Sequence, residues 1–143
     1  MQKKIIIILL VSLLFNGCSS KAKSKVVDLK DCSITFPFDY NINSYKQDAV
    51  DKLSVKPTDL SDGIYHIYYD ENVQDEEGRF RNFLSSYSNH ITKKIEHLEL
   101  VEATETHLKV QIYFLIGENF YITFVKYNDD MKNAIKECNQ SWK

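Results

Sequence analysis

Three cysteines, four histidines and one dense run of carboxylates are the residues with which this chain could do chemistry. Cys18 stands in Leu14-Phe15-Asn16-Gly17-Cys18-Ser19-Ser20, behind Lys3, Lys4 and an apolar run from Ile5 to Phe15 that only Ser12 interrupts. That run has 11 residues, whereas a bilayer-spanning helix needs about 20, so the segment reads as an export signal that is removed. Cleavage after the small Gly17 would make Cys18 the new N-terminus, with its thiol open to acylation. The other two thiols, Cys32 and Cys138, form an even pair in an exported chain, which suggests a disulfide. Such a bond would close nearly the whole domain and contribute about 4–5 kcal/mol by loop-closure entropy. Two free buried thiols are the alternative, because buried cysteine is common.

The histidines His66, His90, His97 and His107 stand in no H-E-x-x-H or C-x-x-C setting, so no metal site is expected. In a strand, His97 and Glu99 would share a face, with His107 able to join them from a neighbouring strand. Those three are the only basis for a small-hydrolase reading. No nucleophile accompanies them, since the chain has no G-x-S-x-G elbow and Cys32 and Cys138 read better as a bonded pair. No catalytic residue and no cofactor is therefore assigned.

Residues 70–77, Asp-Glu-Asn-Val-Gln-Asp-Glu-Glu, hold five acids in eight positions. As a calcium loop the run fails, with Asp75 where an EF-hand needs glycine and Arg81 where it needs a bidentate glutamate. Acids placed before a helix stabilise its N-terminus. The same acids would also make a docking surface for a basic protein partner, and Asp70, Glu71, Asp75, Glu76 and Glu77 are the candidates, together with Tyr68 as a large exposed aromatic.

Composition limits the partners further. Losing residues 1–17 of 143 leaves 126, enough for one domain with a real core. Without Lys3 and Lys4, 16 basic side chains face 20 acidic ones, a formal charge of −4. A nucleic-acid binder should carry a basic stripe, and none exists here. Lys21, Lys23 and Lys25 read as part of a solvated tether.

The elements that must position these residues follow from periodicity. Residues 33–38 alternate with Ile34, Phe36 and Phe38 on one side, a half-buried strand in which Pro37 points to a sheet edge or to the strand's end. Ser44-Tyr45-Lys46-Gln47 fits a capping box and predicts a short helix to about Lys52. Asp62-Gly63 then turns the chain into a strand over residues 64–69. Phe80, Phe83, Leu84, Tyr87 and Ile91 make one face of a main helix. Strands are expected over 95–102, 107–116 and 120–127, with a turn at Gly117-Glu118-Asn119. Val110, Ile112, Phe114 and Ile116 would share one apolar sheet face with Phe120, Ile122 and Phe124. Asn128 caps a last helix with Met131, Ala134, Ile135, Cys138 and Trp142 in its stripe. The expected fold is α+β, an antiparallel sheet with a C-terminal three-stranded meander packed by two amphipathic helices. Residues 1–17 would be the signal, 18–31 the lipidated terminus and tether, and 32–143 a single domain.

The segment around Cys18 resembles a bacterial lipoprotein signal with its lipobox, except that Phe15 stands where leucine is usual. The order of elements over residues 32–142, opening on Ile34-Thr35-Phe36-Pro37-Phe38, resembles the PsbP-like fold and its DcrB-like periplasmic lipoproteins. That resemblance implies a non-catalytic accessory or binding module of the envelope. The expected protein is then held by lipid on Cys18 to the periplasmic face of the outer membrane, where it binds an envelope protein. An immunity lipoprotein that neutralises a toxin effector delivered to the periplasm fits the same size, charge and lack of catalytic residues.

Overall fold

The computed structural model describes residues 25–59, 63–87 and 89–143; Cys18 and the signal segment lie outside them. Two strands, β1 (Val26–Asp28) and β2 (Ser33–Thr35), form a small antiparallel sheet. Strands β3 (Tyr40–Gln47), β4 (Val50–Pro57) and β5 (Tyr65–Tyr69) precede the short helix α1 (Arg79–Leu84). Then come β6 (His90–Ile95), β7 (Leu98–Thr104), β8 (Gln111–Ile116), β9 (Phe120–Phe124) and the closing helix α2 (Asp129–Gln140). Strands β3 to β9 make one seven-stranded antiparallel sheet in the order β3-β4-β5-β9-β8-β7-β6. The chain thus lays down one three-stranded half, crosses through α1, and returns as a four-stranded meander whose last strand docks on β5. This is an α+β fold with an antiparallel sheet.

Both faces of the sheet are covered. On one face Tyr65, Ile67, Leu98, Leu100, Leu115, Phe120, Ile122 and Phe124 pack with Met131, Ala134, Ile135 and Cys138 of α2, with Val27 and Ile34 of the small sheet, and with Leu29 of its connecting turn. On the other, Val101, Ala103, Phe114 and Ile116 pack with Val73 and with Phe80 and Leu84 of α1. Phe114 pairs with Thr123 and Leu115 with Ile122. Side chains paired across strands share a face, so the Phe114 and Phe120 sets lie on opposite faces, not together as the strand spacing predicts.

Several local expectations are corrected. Residues 44–52 form no helix: β3 pairs with β4 over eight positions, from Tyr40 opposite Pro57 to Gln47 opposite Val50. The turn between them puts both Asp48 (φ 52°) and Ala49 (φ 65°) in the left-handed region, the backbone of a two-residue type I′ hairpin. A capping box without an apolar stripe behind it has nothing to bury as a helix, whereas β4 places Val55 in the core. The main helix ends at Leu84, and Ile91 is instead an exposed residue of edge strand β6. Residues 95–102 are not one strand, because Glu96 (φ 52°) turns the chain and pairs Ile95 with Leu98. The meander accordingly has four strands in place of three.

The closing helix starts where expected, with Asn128 Oδ1 accepting the Met131 amide at 3.0 Å and Asp129 and Asp130 in the first turn. Cys138 of its buried stripe is bonded to Cys32, with Cα atoms 5.2 Å apart and a separation of 106 positions in sequence. Residues 26–31, expected in the tether, belong to the folded unit. Val27 and Leu29 are buried, and the buried Asp31 carboxylate accepts both the backbone and side-chain N–H of Asn119, at 2.8 and 2.5 Å. At Gly117, in the turn that Asp31 braces, an added Cβ would press on the Phe120 ring and the Asp31 carboxylate.

Candidate partner surface and adjoining cavity

A row of side chains crosses four strands on the α1 face. Tyr45 lies opposite Lys52, Lys52 opposite Tyr68, and Tyr68 opposite Tyr121. Their order is a consequence of strand register, since only paired positions on one face meet. The Lys52 ammonium sits 5.2 Å from the centre of the Tyr45 ring and 4.5 Å from that of Tyr68, and it donates to Gln47 Oε1 at 3.2 Å. Lys52 is only 9% exposed. Burial works against its charge, but the Tyr45 and Tyr68 phenols beside it outweigh that and hold the ammonium above its ordinary value. Tyr68 and Tyr121 stack with ring centres 4.5 Å apart and planes within 9°. Burial, with smaller contributions from Tyr68 and Asp70, pushes the Tyr121 phenol well up. Burial and then the nearby Lys52 lower His66, whose Nδ1 has no hydrogen-bond partner among the described residues.

Helix α1 covers the sheet only over β7, β8 and β9, because its six residues carry just Phe80 and Leu84 inward. Beyond its edge a cavity of about 290 Å³ opens over β4 and β5. Lys52, Tyr68, Tyr121 and Thr123 form part of its lining on the sheet, Arg79 and Phe83 on α1, and Asp48 and Asp70 at its ends. Arg79 Nη1 donates to the Asp48 carbonyl at 2.5 Å, tying α1 to the β3–β4 turn. Asp70 Oδ1 accepts the Asn72 amide at 3.1 Å, and its Oδ2 is buried without a hydrogen-bond partner among the described residues.

The residues expected to bind a partner divide between this cavity and its border. Tyr68 and Asp70 line it. Glu71, Asp75, Glu76 and Glu77 are exposed on the turns that lead from β5 into α1, where backbone bonds from Asp75 to Asn72 and from Gly78 to Asp75 shape the segment. They do not cap the helix: its N-cap is Gly78 and no acid lies in its first turn, beyond which the dipole's effect fades. Gly78 is needed because a Cβ there would run into the backbone of Asn72.

His97, Glu99 and His107 are not brought together. His97 and His107 lie in the turns at opposite ends of β7, and His97 stacks on Trp142 with ring centres 4.8 Å apart. Glu99 pairs with Arg81 at 3.0 Å, and Arg81 also donates to Gln74 Oε1 at 3.1 Å. Among the described residues no group of three or more His, Cys, Asp or Glu side chains is placed to hold a metal, and no helix is long and apolar enough to cross a membrane. Lys52, Arg79 and Tyr121 went unremarked in the sequence. Only Lys52 left a trace there, a lysine three places before core Val55 and next to Leu53. No family model, curated protein or solved structure matches this chain.

Proposed function

We propose that this protein is a lipid-tethered, non-catalytic binding module of the bacterial cell envelope, anchored through Cys18 and engaging a basic protein partner with Tyr68, Asp70 and the exposed acids Glu71, Asp75, Glu76 and Glu77. The observation that carries the reading is the Cys32–Cys138 bond closing a unit that begins at Val26, just behind the candidate lipid site. A structural disulfide suits an oxidising compartment outside the cytosol. Between Cys18 and Val26 lie seven residues, which reach at most about 25 Å when fully extended. A domain held that close to a membrane meets other envelope proteins at raised effective concentration.

The accessory role implied by the PsbP-like resemblance is the reading kept for the partner, with the periplasmic face of the outer membrane as its place. Immunity to a delivered toxin is the other role this surface would suit, and a basic toxic enzyme recovered as the partner would select it. Two experiments test the proposal. Cys18→Ala should move the protein from the membrane to the soluble fraction, and a variant that stays bound removes the tether from the reading. Neutralising Asp75, Glu76 and Glu77 together should slow association with the partner in a salt-sensitive manner, and an unchanged on-rate removes the acidic surface.

A further inference from the structure

The cavity beside α1 is lined by two cations that form no ion pair with a carboxylate among the described residues. The Lys52 ammonium faces two rings and one amide oxygen, and the Arg79 guanidinium is bonded to a backbone carbonyl; neither forms an ion pair among the described residues. The nearest acids in the lining do not fill that role. Asp70 has one oxygen on the Asn72 amide and the other sealed away, and Asp48 meets Arg79 through its backbone. Phe83 and Tyr121 supply an aromatic wall, with Phe83 43% exposed. An acidic chain has thus placed a mostly buried lysine and an arginine around one aromatic-walled recess.

We propose that this cavity binds a small organic carboxylate with an apolar or aromatic body, its anionic end held by Lys52 and Arg79 and its body lying against Phe83 and Tyr121. Arginine matches the two oxygens of a carboxylate with paired donors, and a charge-assisted bond of that kind is stronger than a neutral one. The Asp48 and Asp70 carboxylates in the lining repel any anion, a phosphate dianion about twice as strongly as a monoanion, so they favour the monoanion. The volume, about 290 Å³, lies at the lower end of ligand pockets, near 300 Å³. That size suits a single-ring acid. The cavity shares Tyr68 and Asp70 with the proposed partner surface, but it is tested through Arg79 and Phe83, which that surface does not use, so the two fail separately.

The test is a titration of the purified protein with 3-phenylpropionate, followed by backbone and side-chain NMR shifts. Its neutral amide and inorganic phosphate serve as comparison probes. The expected result is saturable shifts at Lys52, Arg79 and Tyr121 with the acid, and binding at least about tenfold weaker for the amide and for phosphate. Arg79→Gln, which also gives up the exposed bond to the Asp48 carbonyl, should weaken the acid by about tenfold while lowering the melting temperature only slightly; Phe83→Ala should weaken acid and amide alike. Equal binding of acid and amide, tighter binding of phosphate, no saturable shift with any probe, or an Arg79→Gln protein of native affinity would each overturn the proposal.

Discussion

Replacing both Cys32 and Cys138 by alanine should cost this protein much of its stability. The bond joins the start of β2 to the last turns of α2 across 106 positions, and the chain-entropy relation for a loop of that length gives about 4.8 kcal/mol at 25 °C. Deleting two fully buried sulfur atoms adds roughly 1 kcal/mol each in lost packing. Against the 5–15 kcal/mol typical of whole domains, a loss of about 5–7 kcal/mol leaves a protein that is marginal or unfolded. The assay is urea unfolding of the native protein, the native protein with reductant, and the double variant. With an m-value of about 2 kcal/mol/M, the midpoint should fall by roughly 2 M on reduction and further in the variant. The noncovalent links between the same segments, Ser33 with Ser141 and Lys143 with Asp31, should leave native contacts formed in whatever folded fraction remains. Two titratable thiols in the unreduced protein, or a reduced protein within about 1 kcal/mol of the oxidised one, would refute the reasoning, since loop closure would then not be what holds the ends together.

Other perturbations test other contacts. Ala49→Gly has a sign that depends on the fold. In the type I′ turn, where Ala49 has φ 65°, it should raise stability by up to about 1 kcal/mol, whereas in a helix it would cost about as much, and thermal melts decide. Burial, and then Asp28, raise the Tyr69 phenol to about 12 from an ordinary 10.0. The unfolded chain therefore loses that proton first, so stability present below pH 10 declines as pH rises towards 12; Tyr69→Phe should flatten the decline in urea midpoints measured across that range. Glu99→Gln breaks a pair with Arg81 whose side chains are 16% and 25% exposed, between the surface and buried cases, so a loss of about 1–2 kcal/mol in urea is expected. A Glu99→Gln protein as stable as the native one would show that Arg81 finds another partner.

What the sequence could reveal by itself was whatever repeats locally. The stripe of α2 and its Asn128 cap, the turn at Gly117, the alternation of β9 and the even pair of cysteines are all readable within a dozen residues or by counting, because each follows from helix or strand geometry or from the number of thiols. Local signals misled where they lacked a tertiary partner. Ser44 and Gln47 have the spacing of a capping box, but the strand opposite them buries Val55 and wins. Ile91 has the spacing of a helix face, but α1 has finished by Leu84 and the chain turns into β6.

Register is the part that only tertiary structure decides. A shift of one position sends every side chain of a strand to the other face, and the docking of β9 on β5 is a long-range pairing that no local pattern specifies. That docking places Tyr121 on Tyr68, and the β3–β4–β5 register places Lys52 between Tyr45 and Tyr68. The shortness of α1 then leaves the sheet open beside them. The chemistry of the cavity is therefore written in residues from four separate segments, Lys52, Tyr68, Arg79 and Tyr121, whose types are unremarkable in sequence and whose meeting depends on how seven strands are ordered.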